Sequence, residues 1–284
     1  MELIREAVDV RVWCDGARTG GRTVGLVPTM GALHEGHASL LRRAREERDA
    51  VAMTLFVNPL QFGDPADLAV YPRDEPADVA RAEDLGVDLL FAPPLEQMFP
   101  GGRPEVIVDP GPLGERLEGA ARPGHFRGVA TVVARLFNLV GPSAAYFGEK
   151  DAQQLAIVRR MVSDLGFPVT IVACPTVRES DGLAMSSRNA LLDPREREAA
   201  GCLFLALSTA AELARGGERS APVLIAAMAR EIGATPLARL DYASIVDDAS
   251  FEEIGELEAG RPARALVAAV FGAVHLIDNL RLSS

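Results

Sequence analysis

Short apolar runs alternate with amphipathic helical stretches along the first 176 residues, and this alternation limits the possible folds more than any other feature. Residues 23–27 (TVGLV), 51–57 (VAMTLFV), 88–92 (DLLFA), 144–147 (AAYF) and 169–173 (VTIVA) read as buried strands, each followed closely by Pro, Gly or Asn-Pro. Residues 105–108 (EVIV) read as one more. Between them, 38–48, 75–85, 129–140 and 152–165 carry helical periodicity. In the first of these, Leu40, Leu41 and Ala44 oppose Arg42, Arg43, Arg45 and Glu46. The alternation predicts an α/β fold with a mainly parallel, Rossmann-like sheet, and ligands in such sheets bind outside the carboxyl ends of the strands.

The pattern changes after Thr176. Residues 195–215 and 221–232 read as helices. Residues 240–246, 264–271 and 273–277 read as strands, the last two a hairpin around Gly272. The expected organisation is therefore a nucleotide-binding domain over 1–176 and a smaller α+β domain over 177–284 covering the active site. No internal repeat is present.

Two loops sit where a strand meets a helix. The first is Pro28-Thr29-Met30-Gly31-Ala32-Leu33-His34-Glu35-Gly36-His37. A helix N-terminus offers N–H groups and a positive dipole end, which suit phosphate. Gly31 and Gly36 allow close approach, and His34 and His37 can donate to charge building on an α-phosphate. A zinc pair or a pair of capping histidines are the alternatives, and no third His or Cys ligand is evident nearby. The second loop is Gly148-Glu149-Lys150-Asp151. Of 29 basic residues only Lys150 is a lysine. A compact, mobile ammonium at a phosphate-facing loop is a natural partner for a triphosphate, and guanidinium does not imitate it. Asp151 suits a helix cap, and Gln154, one turn on, faces the same side.

Three further segments carry polar groups able to hold a small acid. Met185-Ser186-Ser187-Arg188 offers two hydroxyls and a guanidinium, a phosphate clamp or an ordinary loop. Asn58-Pro59-Leu60-Gln61-Phe62-Gly63, with Tyr71 and Arg73 downstream, offers uncharged hydrogen-bonders that would orient a hydroxyacid, or else a plain Asn-Pro turn. Residues 122–128 (RPGHFRG) could form a basic loop covering the site, or a solvated one.

The bulk composition excludes several classes. A net charge of −11 argues against a generic nucleic-acid binder. The longest apolar run, 265–277, is too short to span a bilayer, and residues 1–12 do not resemble a signal peptide. Cys14, Cys174 and Cys202 are scattered, without CxxC spacing, so neither a disulfide framework nor a zinc site is expected, and a cytoplasmic location is.

PTMGALHEGH, FVNPLQFG, YPRD, RPGHFRGV, FGEKDAQQ and AMSSRN, in this order and at these separations, resemble the pantoate–β-alanine ligase family of the HIGH-type nucleotidyltransferase superfamily. The resemblance implies adenylation of pantoate by ATP with Mg²⁺, then attack by β-alanine to give pantothenate and AMP. It implies an ATP site made of Met30, Gly31, His34, His37, Gly148, Glu149, Lys150, Asp151, Val177, Met185, Ser186, Ser187 and Arg188, with His34, His37 and Lys150 catalytic and His37 in the acid/donor role. Gln61, Gln154 and Asn58 would hold pantoate, Gln61 would also meet β-alanine, and Asp78 would lie near Mg²⁺. A homodimer is implied as well. Asp74 departs from the family pattern, where threonine commonly follows YPR, and this leaves the local helix cap open. The rival readings are another HIGH-type nucleotidyltransferase and an inactive nucleotide-binding regulator.

Overall fold

The computed structural model describes residues 1–282. The chain divides into two compact units, Met1–Glu149 with Ile157–Pro175, and Lys150–Ala156 with the chain from Thr176 onward. Segment Lys150–Ala156 thus groups with the second unit, although it precedes the boundary drawn at 176.

The first unit holds a six-stranded sheet ordered β1-β4-β3-β2-β5-β6. Its strands are β1 (Glu2–Ile4), β2 (Val24–Thr29), β3 (Ala50–Leu55), β4 (Leu89–Phe91), β5 (Ser143–Gly148) and β6 (Val169–Cys174). Every pairing is parallel. The helices between them are α1 (Ala7–Thr19), α2 (Glu35–Glu47), α3 (Pro65–Val70), α4 (Glu75–Asp84), α5 (Leu95–Met98), α6 (Glu118–Ala121), α7 (His125–Val140) and α8 (Ala152–Leu165). Strands β2 and β3 are apolar on both faces because helices cover both faces. Leu40, Leu41 and Ala44 of α2 and Ala82 of α4 pack with Val27, Val51, Met53, Leu90 and Tyr146.

Pro28 lies inside β2, the central strand, without breaking it. It pairs with Thr54 of β3, whereas the pairing of β2 with β5 extends only over Gly25 and Leu26. Its missing N–H therefore falls beyond the stretch where two neighbours compete for β2. The chain builds from β2 outward through β3 and β4, then returns to the other side of β2 as β5. The order reverses between β2 and β5, and the two loops that leave their carboxyl ends emerge at this switch point.

Two expectations fail here. Residues 105–108 form no strand: they pair with nothing in the sheet, and Val106 is 89% exposed. Helix α7 begins at His125 rather than Val129, so 122–128 is mostly the packed start of a helix and not a free covering loop.

The second unit has an antiparallel sheet, β7 (Ala238–Asp247), β8 (Ala263–Phe271) and β9 (Val274–Leu282), with helices α9 (Pro194–Ala200), α10 (Cys202–Arg215) and α11 (Ala221–Gly233). Gly201 splits the single helix expected over 195–215. Leu203, Leu207, Leu224 and Met228 from the helices share one core with Ile245, Ala265, Val267 and Leu276 from the strands. Strands β8 and β9 join through the two residues between Phe271 and Val274, with Gly272 at φ +57° as such a turn demands. Strand β9 runs five residues past its expected end and so includes Asp278 and Asn279.

Candidate active site

Helix α2 starts three residues earlier than its periodicity suggests, and this gives its histidines a structural task. His34 is the N-cap and His37 the third helical residue. His34 Nδ1 accepts from the Gly36 N–H at 3.1 Å, and His37 Nδ1 accepts from the His34 N–H at 3.3 Å. The two side chains form a reciprocal capping box, with ring centroids 4.1 Å apart. A nitrogen that accepts a hydrogen bond carries no proton, so a neutral ring here is protonated on Nε2. The backbone thus sets both imidazoles in the tautomer that donates from Nε2. The capping reading and the donor reading, alternatives on the sequence, use opposite nitrogens of the same rings.

The amides of the preceding loop find partners within the protein. Asp78, 5% exposed on α4, accepts from the Ala32 N–H at 2.9 Å through Oδ2 and from the Leu33 N–H at 2.7 Å through Oδ1. The Gly31 N–H reaches Thr29 Oγ1 at 3.3 Å, and that hydroxyl donates to the Thr54 carbonyl at 2.6 Å. Loop amides from Gly31 to His34 are therefore committed within the protein. Gly31 has φ +86°, and a Cβ there would stand 2.6 Å from Leu55 and 2.7 Å from Asp78. Only glycine allows this carboxylate so close to the loop. Asp78 was expected near Mg²⁺. Its two oxygens each accept one backbone N–H, and no cluster of three or more His, Cys, Asp or Glu able to hold a metal occurs among the described residues.

Gln61 ends a 3-10 turn, Pro59–Gln61, just after β3. Its side chain accepts from Asn58 Nδ2 at 3.0 Å and donates toward Met30 Sδ at 3.0 Å. Asn58 is 1% exposed; its amide also donates to the Gly128 carbonyl at 3.1 Å and accepts from the Leu60 N–H at 3.2 Å. Asn58 is thus buried and hydrogen-bonded to the Gln61 side chain. The Gln61 carbonyl lies 2.8 Å from His125 Nδ1, and His125 is buried. Gly128 brings α7 against this turn: a Cβ there would sit 2.3 Å from the Leu60 carbonyl oxygen. The RPGHFRG segment thus fastens the glutamine. Asp74 closes the open question at α4, accepting from the Ala77 N–H at 3.1 Å as an N-cap, a position where Asp is among the best residues.

The second unit carries the remaining candidates. Gly148 ends β5, and Glu149 closes the first of the first unit's two chain segments. Lys150 and Asp151 follow in a 3-10 turn ahead of α8, with Lys150 Nζ 3.6 Å from Asp151 Oδ1, and Gln154 lies half-buried in the first turn of the helix. The Met185 N–H donates to the Val177 carbonyl at 2.9 Å, which joins two candidates directly. Ser186 Oγ accepts from the Arg188 N–H at 3.2 Å and caps the turn Ser187–Leu191. Asn189 fastens this turn by donating to Glu179 at 2.9 Å and to the Ala184 carbonyl at 3.2 Å. Arg197 braces the region from α9 through Glu179 and Asp181, both at 2.6 Å.

One polar cluster lies outside what the sequence suggests. Asp278 and Asn279 on β9 are buried, as is Arg264 on β8, and Arg178 forks onto Asp278. Burial pushes the Asp278 carboxyl up, and the Arg178 guanidinium pulls it back. An Asp-Asn pair inside an apolar run was the available signal, but it lay past the expected end of the strand.

The sheet, its switch point and the histidine-capped helix define a class: an α/β protein with a Rossmann-like parallel sheet. The particular family follows from comparison with known proteins. A family model described as pantoate-beta-alanine ligase matches residues 2–281, and the chain belongs to that family. The pantothenate synthetase of Rubrobacter xylanophilus is 53% identical, the match covering 99% of this chain and 98% of that one. The crystal structure of pantothenate synthetase from Thermus thermophilus superposes with a TM-score of 0.92 at 48% identity, covering 100% of both chains. Pantoate-beta-alanine ligase from Francisella tularensis, solved in complex with beta-gamma ATP and beta-alanine, gives a TM-score of 0.80 at 32% identity over 99% of this chain and 97% of that one.

Proposed function

We propose that the chain joins pantoate to β-alanine with ATP, through a pantoyl adenylate, giving pantothenate, AMP and pyrophosphate. Within a pantoate–β-alanine ligase family member, the observation that carries this reading is the reciprocal capping of α2, which readies His34 and His37 as Nε2–H donors.

In the first step a pantoate carboxylate oxygen attacks the α-phosphorus, and the bond to the bridging oxygen of the β-phosphate breaks. Carboxylate and phosphate repel each other, so alignment and charge neutralisation do most of the work. His34, His37 and Lys150 supply the positive or proton-donating groups, with His37 donating where charge builds. Met30, Gly31, Gly148, Glu149, Asp151, Val177, Met185, Ser186, Ser187 and Arg188 complete the nucleotide's surroundings. Gln61 and Gln154 hold pantoate, and the buried amide of Asn58 keeps Gln61 in place. In the second step the β-alanine amine, near Gln61, attacks the acyl carbon, the acyl–oxygen bond breaks, and AMP leaves as the amine loses a proton.

Asp78 is the acidic residue that would lie near Mg²⁺; each of its oxygens accepts one backbone N–H and keeps a further lone pair. Mg²⁺ would enter with ATP and would offset the charge of the leaving pyrophosphate. The homodimer and the cytoplasmic location belong to the same proposal: the first rests on the family resemblance, the second on the three free cysteines. No helix among the described residues is long and apolar enough to cross a membrane.

Omitting ATP, Mg²⁺, pantoate or β-alanine in turn, with products identified by mass, tests the proposal. AMP and pantothenate are expected in equal amounts and only with all four present. A product that retains the nucleotide after β-alanine is added would favour a different HIGH-type nucleotidyltransferase. Sedimentation equilibrium at about twice the chain mass is the expected result for the dimer.

A further inference from the structure

We propose that Asn279, on β9, is a positioning residue for Lys150, fixing the backbone from which the lysine's ammonium reaches the nucleotide; this rests on the phosphate-binding role proposed above for Lys150. The Lys150 side chain hangs from a 3-10 turn of only three residues, Glu149–Asp151. A lysine stem is flexible, so where its ammonium can act depends on where its backbone is held. The Lys150 carbonyl accepts a hydrogen bond from Asn279 Nδ2 at 2.8 Å.

The direction of that bond is determined by its surroundings. An asparagine amide can rotate by half a turn and exchange its donor and acceptor ends. Here Arg264 Nη1 donates to Asn279 Oδ1. A guanidinium can only donate, so Oδ1 must face Arg264 and Nδ2 must face the Lys150 carbonyl. Arg264 is 3% exposed and is itself held by Asp248, which also pairs with Arg281. The backbone of Asn279 is locked as firmly as its side chain. Its N–H donates to Asp278 Oδ1 at 2.7 Å, and its carbonyl accepts from Arg178 Nη2 at 3.1 Å. Arg178 also donates to the Gly182 carbonyl at 3.0 Å, and its guanidinium carbon stands 4.4 Å from the centre of the Phe204 ring.

Burying charged groups is expensive, and apolar side chains of similar volume often stabilise a fold as well or better. A network of Arg178, Asp278, Asn279 and Arg264 is therefore poorly explained by stability alone. It is well explained by the rigidity it gives the contact of the Asn279 amide with the Lys150 carbonyl. A purely structural network predicts that damage at Asn279 lowers stability and leaves the surviving folded enzyme unaltered. A positioning network predicts a slower chemical step in folded enzyme, dependent on Lys150.

Asn279→Asp separates the two. The variant keeps the side chain's shape and the partner of Arg264, but sets an oxygen against the Lys150 carbonyl. Pantoyl adenylate formation is measured in a single turnover with ATP, Mg²⁺ and pantoate, on protein with wild-type circular dichroism. The expected rate falls about 10- to 100-fold, the scale of a misplaced catalytic group. The same change in a Lys150→Ala background lowers the rate by less than about twofold, because the group being positioned is gone. Equal losses in both backgrounds, or no loss in the wild-type background, overturn the proposal. Lys150→Ala alone running at the wild-type rate removes the role of Lys150, a failure visible without any change at Asn279. If Asn279→Asp does not fold, Asn279→Ser, too short to reach the Lys150 carbonyl, enters the same cycle with the same expected outcomes.

Discussion

Each imidazole at the start of α2 has two nitrogens: Nδ1 caps the helix, and Nε2 is the one that would donate in the proposed reaction. The magnitudes of the two tasks separate them experimentally. Losing a helix cap costs about 1 kcal/mol of stability. Losing a donor aimed at developing charge costs about 10²–10³ in rate. His37→Ala is therefore expected to stay folded, with a modest drop in melting temperature, while single-turnover adenylation falls by the larger factor. Unfolding at assay temperature would make His37 a structural residue. Lys150→Ala is expected to lower adenylation by about 10²–10³ as well, as for any key charge stabiliser. The candidate residues of these loops stand out in sequence because the two histidines and the single lysine lie between a strand and a helix, where an anion would be held. Their supports are less legible. Asp78, Asn58 and Asn279 act by contacts to residues 46, 70 and 129 positions away in the chain, and no local pattern encodes such pairings.

At the scale of elements, β2 through β5 are legible because burial on both faces leaves continuous apolar runs. Residues 105–108 carry the same composition but find no neighbouring strand, and β propensity without pairing makes no strand. Helix α1 is not evident from sequence. Its inward residues Val10, Cys14 and Ala17 have helical spacing, yet exposed Val8 and Val12 on the same helix blur the pattern. The start of α7 is hidden for another reason: a glycine-rich, basic stretch looks like a loop until Gly128 is seen to touch the turn carrying Gln61. Gly128→Ala should therefore destabilise the protein by about 1–3 kcal/mol in a denaturant titration, as overpacking does. The pantoate KM should rise with it, since the added methyl meets the Leu60 carbonyl and the Gln61 backbone. An unchanged melting curve would refute the close approach. In the second unit, the turn after β7 depends on Asp247. Its carboxylate accepts from the Ser250 N–H at 2.7 Å and the Ala249 N–H at 3.1 Å and pairs with Arg261, and these bonds hold its pKa down at about 2. The folded value lies below the unfolded one, so this stabilisation is present above about pH 4 and is lost as pH falls toward 2. Asp247→Asn should thus lie below wild type in melting temperature at neutral pH, with the gap closing across that acid window.

For the whole molecule, the parallel sheet and the antiparallel β7–β9 sheet match the α/β and α+β halves expected from sequence. The grouping of Lys150–Ala156 with the second unit has no compositional marker, because helix α8 continues unbroken from Ala152 to Leu165. The three cysteines are buried, and desolvation pushes the thiols of Cys14 and Cys174 up to about 11, so thiolate is scarce at neutral pH. Native protein should resist a thiol reagent and react fully only after denaturation; rapid labelling of the folded form would contradict this packing.

The central claim, that pantoate is activated by bonding its carboxylate oxygen to the α-phosphorus, is tested most directly with pantoate labelled with oxygen-18 in that carboxylate. In a complete reaction with ATP, Mg²⁺ and β-alanine, one labelled oxygen should appear in AMP and none in pyrophosphate. Unlabelled AMP, or label found in inorganic phosphate, would show that the acid is activated by another route.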